Sequence, residues 1–426
     1  MKTKNSKRKI KDPGISKMLT GILLCIAIVS LSGCLKKHPP EPTQYMDSKP
    51  EYWVNVLLLD DVNGSKLDMP CGFYLTSNKK QVTRVYFEKP AKPISVTLSD
   101  GRIDFAGWLS DANDLIVLPQ SPYIFNLNGD DYRGKLKFVL NPDANSFDVV
   151  NIVPVESYLA GVVGAEMPSY WEPSALGAQA IASRTYCLYT KKRFGSKRHF
   201  DVRKTQAHQV YLGLKAESTQ IHRAVNSTAG QVLICEQPNG SDIFPTYFGS
   251  TCGGHTEDST NVFGGDSFAP LVGVPCGYCE TIAKPALFKW KKVSYDKAVV
   301  SSRLRQRYPL LKKIGRIQEI IPIRQSDYND FTRLTMIKLV DAKGHSDVIR
   351  AEDFRLTIDR TGSKIKSAAF TIRNGGDKWI FENGRGYGHA VGMCQCGAQA
   401  MARQGKTASE ILKYYYPNSE IKKIDY

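Results

Sequence analysis

Glu166 occupies the position in this sequence that most directly suggests chemistry. Val163, Val162 and Leu159 precede it by three, four and seven residues, so a helix would carry all four side chains on one apolar face. Pro168 predicts the end of that helix, because the residue before a proline is disfavoured in the α region. A carboxyl group in apolar surroundings has a raised pKa and can donate a proton near neutral pH. The alternative is a glutamate that bends outward to water.

Arg184 is the second candidate. It lies among the Ala, Gly and Ser residues of a predicted second helix, "EPSALGAQAIASRTYCLYTKKRFG". Its guanidinium could hold a sugar oxygen or orient the Glu166 carboxylate. A purely structural arginine is the alternative.

Two glycine-rich segments, "YFGSTCGGHTEDSTNVFGG" and "GRGYGHAVGMCQCGAQAMA", add polar side chains. The first leaves backbone amides uncovered, so that a polymer could approach the main chain, although a tight turn is the alternative. The second is not a dinucleotide-binding turn, because no strand–helix unit with a downstream acid surrounds it. The predicted ligand contacts are Ser250, Gly253, Gly254, Thr256, His389 and Gln395.

Four cysteines could form a metal site. Cys252 and Cys394 lie in the two glycine-rich segments, and Cys276 and Cys279 form a Cys-x-x-Cys motif. Four thiolates from segments that meet in space would suit tetrahedral Zn²⁺. Disulfides are the alternative in an exported protein.

The N-terminus predicts export and a membrane tether. A basic stretch and the apolar "MLTGILLCIAIVS" precede "LSGC", which resembles a bacterial lipobox with Cys34 as the lipidated residue. An uncleaved membrane anchor is the alternative. Residues 1–33 would be a lipoprotein signal peptide and the Pro-rich residues 34–50 a semi-rigid spacer. Either interpretation places the body of the protein in the cell envelope, outside the cytoplasm.

Composition and pattern predict an α+β protein. Of 426 residues, 42% are hydrophobic and 23% charged, which argues against overall disorder. The formal charge of +17 suits an anionic surface or polymer, but no basic stripe interleaved with aromatics supports nucleic-acid binding. Short β-type runs fill residues 51–130. Helical segments with glycine-rich loops follow in residues 131–426, interrupted by a mixed, basic insertion at about 290–379 that we interpret as a β-rich subdomain.

Four blocks in order resemble the sporulation stage II protein D (SpoIID/LytB) family of exported cell-wall proteins. They are "YRGKLKFVLN…VVNIVPVESYLAGVVGAEMP", "ALGAQAIASRTY", "STCGGHT" and "GYGHAVGMCQCGAQAMA…ILKYYYP". The resemblance implies that Glu166 is the catalytic acid and that Arg184 supports activity. It implies a lytic transglycosylase that forms 1,6-anhydromuramyl ends on peptide-stripped peptidoglycan strands, without a cofactor for the chemistry. Some members are amidase enhancers, so a non-catalytic glycan-binding lipoprotein with an amidase partner is the alternative.

The chain also departs from the family pattern. Ala390 stands where relatives usually have glycine, and Cys394 stands where many have serine. Some relatives bind zinc through one histidine and two cysteines after the second helix, but this chain offers His199 and His208 there without a cysteine. That site is therefore not transferred. Glu257 and Asp258 are the two further acids that would favour hydrolysis over transglycosylation, because most glycosidases use a second carboxylate.

Overall fold

The computed structural model describes residues 52–77, 84–308 and 314–425. The predicted signal peptide, the lipidation site Cys34 and the whole predicted spacer, residues 34–50, lie outside the described residues. Within those ranges, no helix combines the length and the hydropathy needed to cross a membrane.

The strands form seven sheets within the described ranges. In chain order they are β1 (Trp53–Val62), β2 (Gly64–Asp68), β3 (Phe73–Thr76), β4 (Val85–Phe87), β5 (Ile94–Ser99), β6 (Arg102–Phe105), β7 (Trp108–Leu109), β8 (Asp114–Pro119), β9 (Ile124–Leu127), β10 (Asp130–Arg133), β11 (Lys135–Leu140), β12 (Phe147–Pro154), β13 (Val202–Arg203), β14 (Gln231–Cys235), β15 (Asp242–Ile243), β16 (Phe248–Gly249), β17 (Lys289–Trp290), β18 (Val293–Asp296), β19 (Ile317–Tyr328), β20 (Phe331–Asp341), β21 (Ser346–Arg350), β22 (Thr371–Asn374), β23 (Lys378–Glu382), β24 (Gly384–Arg385), β25 (Met393–Cys394) and β26 (Glu420–Lys423).

The α-helices are fewer. They are α1 (Val155–Glu166), α2 (Pro173–Phe194), α3 (Thr219–Ser227), α4 (Ser259–Phe263), α5 (Pro285–Phe288), α6 (Lys297–Arg307), α7 (Ala351–Ile358), α8 (Gln395–Arg403) and α9 (Ala408–Tyr415). Together with the sheets they confirm the α+β class predicted from the sequence.

The largest sheet joins the N-terminal strands to the helical part of the chain. Its strand order is β13-β1-β12-β11-β8-β3-β4, so strands from both sides of residue 130 belong to one sheet. β1 and β12 run antiparallel, with Trp53 opposite Pro154. The side chains of β8 alternate between buried and partly buried, as expected for a strand that packs one face on a core. α1 follows β12 directly, so the sheet fixes where α1 begins.

Local sequence signals set the ends of the helices around the site. Pro173 is the first residue of α2, where a missing N–H costs nothing. α9 begins with a capping box, in which Thr407 accepts from the Glu410 N–H and Glu410 reaches back to the Thr407 N–H. Both signals are present in the local amino-acid sequence. α3 ends at Ser227, and the chain reaches Gly230 through a turn.

The described part of the chain has two main hydrophobic cores. The first runs from Val54 to Tyr416 and includes the buried faces of the large sheet, α1, α2, α8 and α9. The second lies wholly within Trp290–Phe381 and contains residues of α6 and α7 as well as of the strands. The segment predicted as a β-rich insertion therefore has a core of its own, and two of its helices are part of that core.

Candidate active site

Glu166 is the last residue of α1, as the position of Pro168 predicts. The next residue, Met167, is extended, and its N–H still bonds to the Val163 carbonyl. The carboxylate turns inward and receives two hydrogen bonds. Val210 donates its backbone N–H to Oε1 at 3.0 Å, and Gln395 donates from Nε2 to Oε2 at 3.3 Å. The alternative of a helix-end glutamate bending outward is therefore not what the structure shows.

Burial raises the pKa of Glu166 above the ordinary value for a carboxyl group. The hydrogen bonds from Val210 and Gln395 act in the opposite direction, because both favour the carboxylate form. Both donors are uncharged. The carboxyl group thus holds its proton to a higher pH than an exposed glutamate does. Its anionic form is stabilised by hydrogen bonds from Val210 and Gln395.

Gln395 connects the second glycine-rich segment to this carboxylate. It is the first residue of α8, and its Nε2 also lies 3.4 Å from Oε1 of Gln179 on α2. Gln179 in turn donates to the Ser183 hydroxyl at 2.9 Å. Because each amide is held by the next, the orientation of the Gln395 donor is fixed by α2 rather than by solvent.

Val210 is the site residue that sequence reasoning missed. It lies forty-four positions after Glu166, and only its backbone N–H takes part. The neighbouring Gln209 accepts from the Tyr158 hydroxyl at 3.1 Å and donates to the Ser183 carbonyl at 3.3 Å. These bonds hold the segment against α1 and α2. A backbone donor leaves no residue-type signal, so no pattern in the letters could have identified it.

The two glycine-rich segments meet, as the sequence hypothesis required. β16 and β25 pair in parallel, and Thr251 and Tyr387 exchange backbone hydrogen bonds at 3.2 and 2.8 Å. Gly253 has a φ of 78°, and a Cβ there would lie 2.9 Å from Cγ of Arg385. Glycine is therefore required where the two segments touch.

Five of the six predicted ligand contacts lie around this junction: Ser250, Gly253, Gly254, His389 and Gln395. Ser250 and Gly254 are half-buried, Gly253 is buried at the contact with Arg385, and Gln395 reaches Glu166. Thr256 requires a correction. It is 1% exposed, and its hydroxyl and backbone both bond to Val274, so it fastens two loops together and does not face a ligand.

His389 is held as a neutral imidazole. Burial lowers its pKa to about 4, and its Nδ1 accepts the Val391 N–H at 2.9 Å. Its ring packs edge-on against Phe263 at 5.2 Å. The next residue, Ala390, has a φ of 62°, a conformation that favours glycine. That backbone geometry gives a physical reason for the glycine that the family resemblance implies at this position.

Arg184 also requires a correction, because its guanidinium contacts neither Glu166 nor a surface that a sugar could reach. It is 0% exposed and pairs with Glu156 in the first turn of α1, through Nε–Oε1 at 2.7 Å and Nη2–Oε2 at 2.6 Å. Its Nη1 donates to the Gln231 carbonyl at 3.0 Å. A guanidinium enclosed in this way ties α1, α2 and β14 together, so Arg184 supports the fold and is not a group that touches sugar.

Glu257 and Asp258 are both used inside the fold. Glu257 is 2% exposed and accepts from the hydroxyls of Tyr328 at 2.7 Å and Ser326 at 3.0 Å, beside Arg333 at 3.5 Å. Asp258 caps α4 by accepting the Thr260 N–H at 2.7 Å. These contacts join the first glycine-rich segment to the β19–β20 hairpin.

The four cysteines proposed as metal ligands converge. Their sulfur atoms all lie within 4.8 Å of one another, and all four residues are buried. The histidines of the region after α2 have other partners: His199 pairs with Asp148 at 2.7 Å, and Nδ1 of His208 lies 3.3 Å from the Arg203 N–H. Among the described residues, the four cysteines are the cluster of metal-type ligands that the fold assembles.

Comparison with known proteins places these features in a family. A family model described as SpoIID, stage II sporulation protein, matches residues 143–235, which contain Glu166, Arg184 and Val210. An uncharacterised protein of Brachyspira hyodysenteriae is 34% identical over 304 residues, covering 71% of this chain and 74% of that protein.

Two relatives from Bacillus subtilis carry functional names. Stage II sporulation protein D is 28% identical over 294 residues, covering 65% of this chain and 76% of its own length. The amidase enhancer is 27% identical over 366 residues, covering 77% of this chain and 49% of its own length. With its central block matched by the family model and most of its length shared with these relatives, the chain belongs to the stage II sporulation protein D (SpoIID) family.

Proposed function

We propose that this protein acts on the bacterial cell wall as a lytic transglycosylase. It would cleave the bond between N-acetylmuramic acid and N-acetylglucosamine and leave 1,6-anhydromuramyl ends. The observation that carries the proposal is the environment of Glu166: a half-buried glutamate whose desolvated carboxyl group has a raised pKa and whose oxygens face two neutral donors. The names of its relatives, which concern sporulation and amidase enhancement, support a role at the wall.

The first step needs an acid. Glu166 would give its proton to the glycosidic oxygen while the bond from that oxygen to C1 of the muramyl sugar breaks, through an oxocarbenium-like transition state. Burial serves this step, because it keeps the carboxyl group protonated at a pH where an exposed glutamate has already ionised.

The second step needs a base, and the same group supplies it. The Glu166 carboxylate would take the proton from the muramyl 6-hydroxyl while O6 forms its bond to C1. The Val210 amide and the Gln395 side chain stabilise the carboxylate between the two steps. The proton is returned and no water is consumed. Attack from within the same sugar benefits from the high effective molarity of intramolecular reactions.

One carboxylate suffices for this route, whereas hydrolysis usually employs two. The two acids that the sequence suggested for a hydrolytic role, Glu257 and Asp258, are engaged with Tyr328, Ser326 and the N-terminus of α4. Their engagement favours transglycosylation over hydrolysis.

The remaining parts of the proposal come from the sequence and the family resemblance. Strands already stripped of stem peptides would be the preferred substrate. A lipid on Cys34 would tether the protein in the cell envelope, and residues 34–50 would hold its body away from the membrane. Neither the chemistry nor the substrate contacts proposed here call for a cofactor.

The test is digestion of peptide-free glycan strands by the purified full chain, with mass spectrometry of the new ends. Wild-type protein should produce 1,6-anhydromuramyl ends, and Glu166→Gln should reduce their rate of formation by about 10²–10⁴-fold, the contribution typical of general acid–base catalysis. Glu257→Gln and Asp258→Asn serve as matched controls and should retain the anhydro product. Reducing ends that depend on Glu257 or Asp258 would contradict the proposal and indicate hydrolysis.

A second candidate function is an amidase enhancer that grips glycan or an N-acetylmuramoyl-L-alanine amidase without cleaving anything. The relative named amidase enhancer, which aligns with 77% of this chain, favours it. In that case the chain would bind glycan strands and stimulate an added amidase, and Glu166→Gln would stimulate as well as the wild type. No new strand ends would form in either sample.

A further inference from the structure

We propose that Cys252, Cys276, Cys279 and Cys394 bind one structural Zn²⁺ ion that fastens the two glycine-rich segments together. The four residues come from three separate parts of the chain: the first glycine-rich segment, the Cys-x-x-Cys turn and the residue before α8. Their exposures are 2%, 1%, 0% and 2% in that order. Zinc binding by these four cysteines does not depend on the proposed enzymatic activity.

The sulfur positions match a tetrahedral thiolate site. A zinc ion with Zn–S bonds of about 2.3 Å separates its four sulfurs by about 3.8 Å. Here the sulfurs of Cys252 and Cys279 are 3.8 Å apart, and no sulfur lies more than 4.8 Å from another. Bound sulfurs in a disulfide are about 2.05 Å apart and occur in pairs. All eight cysteines of the described residues are free thiols, and these four form a compact group, not two pairs.

The surroundings supply the outer contacts that a metal–thiolate site uses. Cys252 directs its backbone N–H to Sγ of Cys394 at 3.3 Å, and the hydroxyl of Tyr415 lies 3.2 Å from Sγ of Cys276. Donors of this kind reduce the charge density on thiolate sulfur and fix its orientation. The Cys276 N–H bonds to the Gly254 carbonyl at 2.8 Å, which holds the Cys-x-x-Cys turn to the glycine-rich segment.

Gly397 on α8 shows how closely the fold packs around these sulfurs. A Cβ at this position would lie 1.9 Å from the Tyr415 hydroxyl and 2.9 Å from Sγ of Cys276. Only glycine lets α8 approach the cluster and leaves space for the Tyr415 contact.

The chemistry of the donor set selects the ion. Burying several thiolates together is costly, because like charges repel in a medium of low dielectric. A divalent cation bound between the thiolates offsets most of that repulsion. Four sulfur ligands in a tetrahedral arrangement select zinc or iron. Zinc fits a site of four protein ligands with no open position, buried on all sides, whose role is to hold segments in place.

The location gives the ion a consequence for the candidate active site. Cys394 immediately precedes Gln395, whose amide donates to Glu166. Cys252 lies beside Thr251, which pairs with Tyr387 of the second segment. A metal bond to Cys252 and Cys394 would therefore fix the start of α8 relative to both loops.

The first test measures metal content of the purified full chain after reduction, addition of Zn²⁺ and desalting. Elemental analysis should find about one zinc per wild-type chain, as expected for a single tetrathiolate site. The double variant Cys276→Ser/Cys279→Ser should lose it. The matched control is Cys235→Ser, a buried free thiol outside the cluster, which should keep the zinc. Zinc retained by the double variant, or absent from the wild type, would overturn the proposal, and so would stoichiometric iron in place of zinc.

A second measurement uses only wild-type protein, in case the double variant does not fold. Co²⁺ added to the reduced, zinc-free chain should give the intense visible absorption of tetrahedral cobalt with sulfur ligands, and Zn²⁺ should displace it. The weak spectrum of octahedral cobalt would contradict the site. Mass spectrometry that found the four cysteines joined as disulfides in the native protein would contradict it as well.

Discussion

Helix α1 carries a buried or nearly buried carboxyl group at each end, and the two have opposite surroundings. Glu156 in the first turn meets the guanidinium of Arg184 through two short hydrogen bonds and also accepts the Gly230 N–H. Glu166 at the last residue meets an amide from Val210 and an amide from Gln395, both neutral. The first carboxylate has its charge balanced and serves the fold. The second keeps a raised pKa, which is what an acid catalyst requires.

One helix therefore serves both the fold and the proposed chemistry. The ion pair at its start connects α1 to α2 and to the segment that leads into β14, so the helix position is set firmly at one end. Its other end can then present a carboxyl group in a poorly solvated place. If Arg184 faced Glu166 and neutral amides faced Glu156, α1 would lose both the ion pair that sets its start and the raised pKa at its end.

The largest expected effect comes from breaking the charged pair. Arg184→Leu leaves Glu156 buried without its cation, which should lower the free energy of unfolding by about 3–5 kcal/mol. Chemical denaturation measures the loss. The folded fraction should keep a specific activity of the same order as wild type, because Arg184 does not reach the carboxylate of Glu166.

The double variant Glu156→Met/Arg184→Met is the control for that prediction. Replacing both members of a buried ion pair with apolar side chains of similar volume is often close to neutral. It should therefore recover most of the lost stability. An Arg184→Leu protein of normal stability that has lost its activity would show that Arg184 acts in the chemistry, and the comparison would fail.

A smaller effect is expected at the other end of the helix from Gln395→Leu. Losing one hydrogen bond to a charged group costs about 1.5 kcal/mol, or about tenfold in kcat/KM. The bond from Gln395 lowers the pKa of Glu166, so its removal raises that pKa. Activity that needs protonated Glu166 is lost as pH rises through this pKa, and the alkaline limb of the pH–rate profile should move to higher pH.

Gln399→Leu provides the matched control for this shift. Gln399 is a buried amide on the same helix, and its Oε1 accepts the Glu172 N–H at 2.9 Å. The alkaline limb should stay in place in this variant. A limb that moves equally in both variants, or to lower pH in Gln395→Leu, would contradict the assigned role of Gln395.

The pH dependence of the free energy of unfolding should also distinguish the Glu166 end of α1 from the Glu156 end. The pKa of Glu166 is higher in the folded than in the unfolded chain, so the folded state binds more protons between these two values. Its contribution to stability is greatest at low pH and decreases as pH rises through that window. Glu166→Gln removes this term, so denaturation at pH 4, 6 and 8 should show the variant gaining stability relative to wild type as pH rises. A Glu166→Gln variant that loses stability relative to wild type as pH rises would contradict a raised pKa for Glu166.

The smallest expected effect concerns the backbone beside the site. Ala390 has a φ of 62°, and an L-residue in this region costs about 1 kcal/mol or somewhat more. Ala390→Gly should therefore raise the free energy of unfolding by up to about 1 kcal/mol, part of the gain being offset by the greater freedom of glycine in the unfolded chain. Thermal denaturation checks it, and a clear loss of stability would show that the strain is relieved in some other way.

Features that depend on residues close together in the chain, such as helix ends, could be predicted from the sequence. Pro168 and Pro173 mark the gap between α1 and α2, and Thr407 with Glu410 marks the start of α9. The α+β class and the position of Glu166 on the apolar face followed from such local rules. The convergence of four cysteines was also predicted, because a metal site and disulfides, the two roles considered for these cysteines, both bring sulfur atoms together.

Contacts between distant residues were beyond the reach of these rules. The sequence spacing of Arg184 from Glu156 and from Glu166 does not say which carboxylate it will meet, since that depends on how α1 and α2 cross. The backbone N–H of Val210 has no signature in the letters. Thr256 resembled a ligand contact because polar residues in glycine-rich loops often are, yet here its hydroxyl bonds to Val274.

The most direct test of the central claim, that Glu166 alone serves as acid and then base, is a digestion of glycan strands in H₂¹⁸O. We predict new muramyl ends with the mass of the anhydro sugar and no ¹⁸O, because O6 of the same residue closes the ring. New ends that carry one ¹⁸O atom as a reducing hydroxyl would mean that water attacks C1. That result would contradict the single-carboxylate mechanism and require a second group to activate the water.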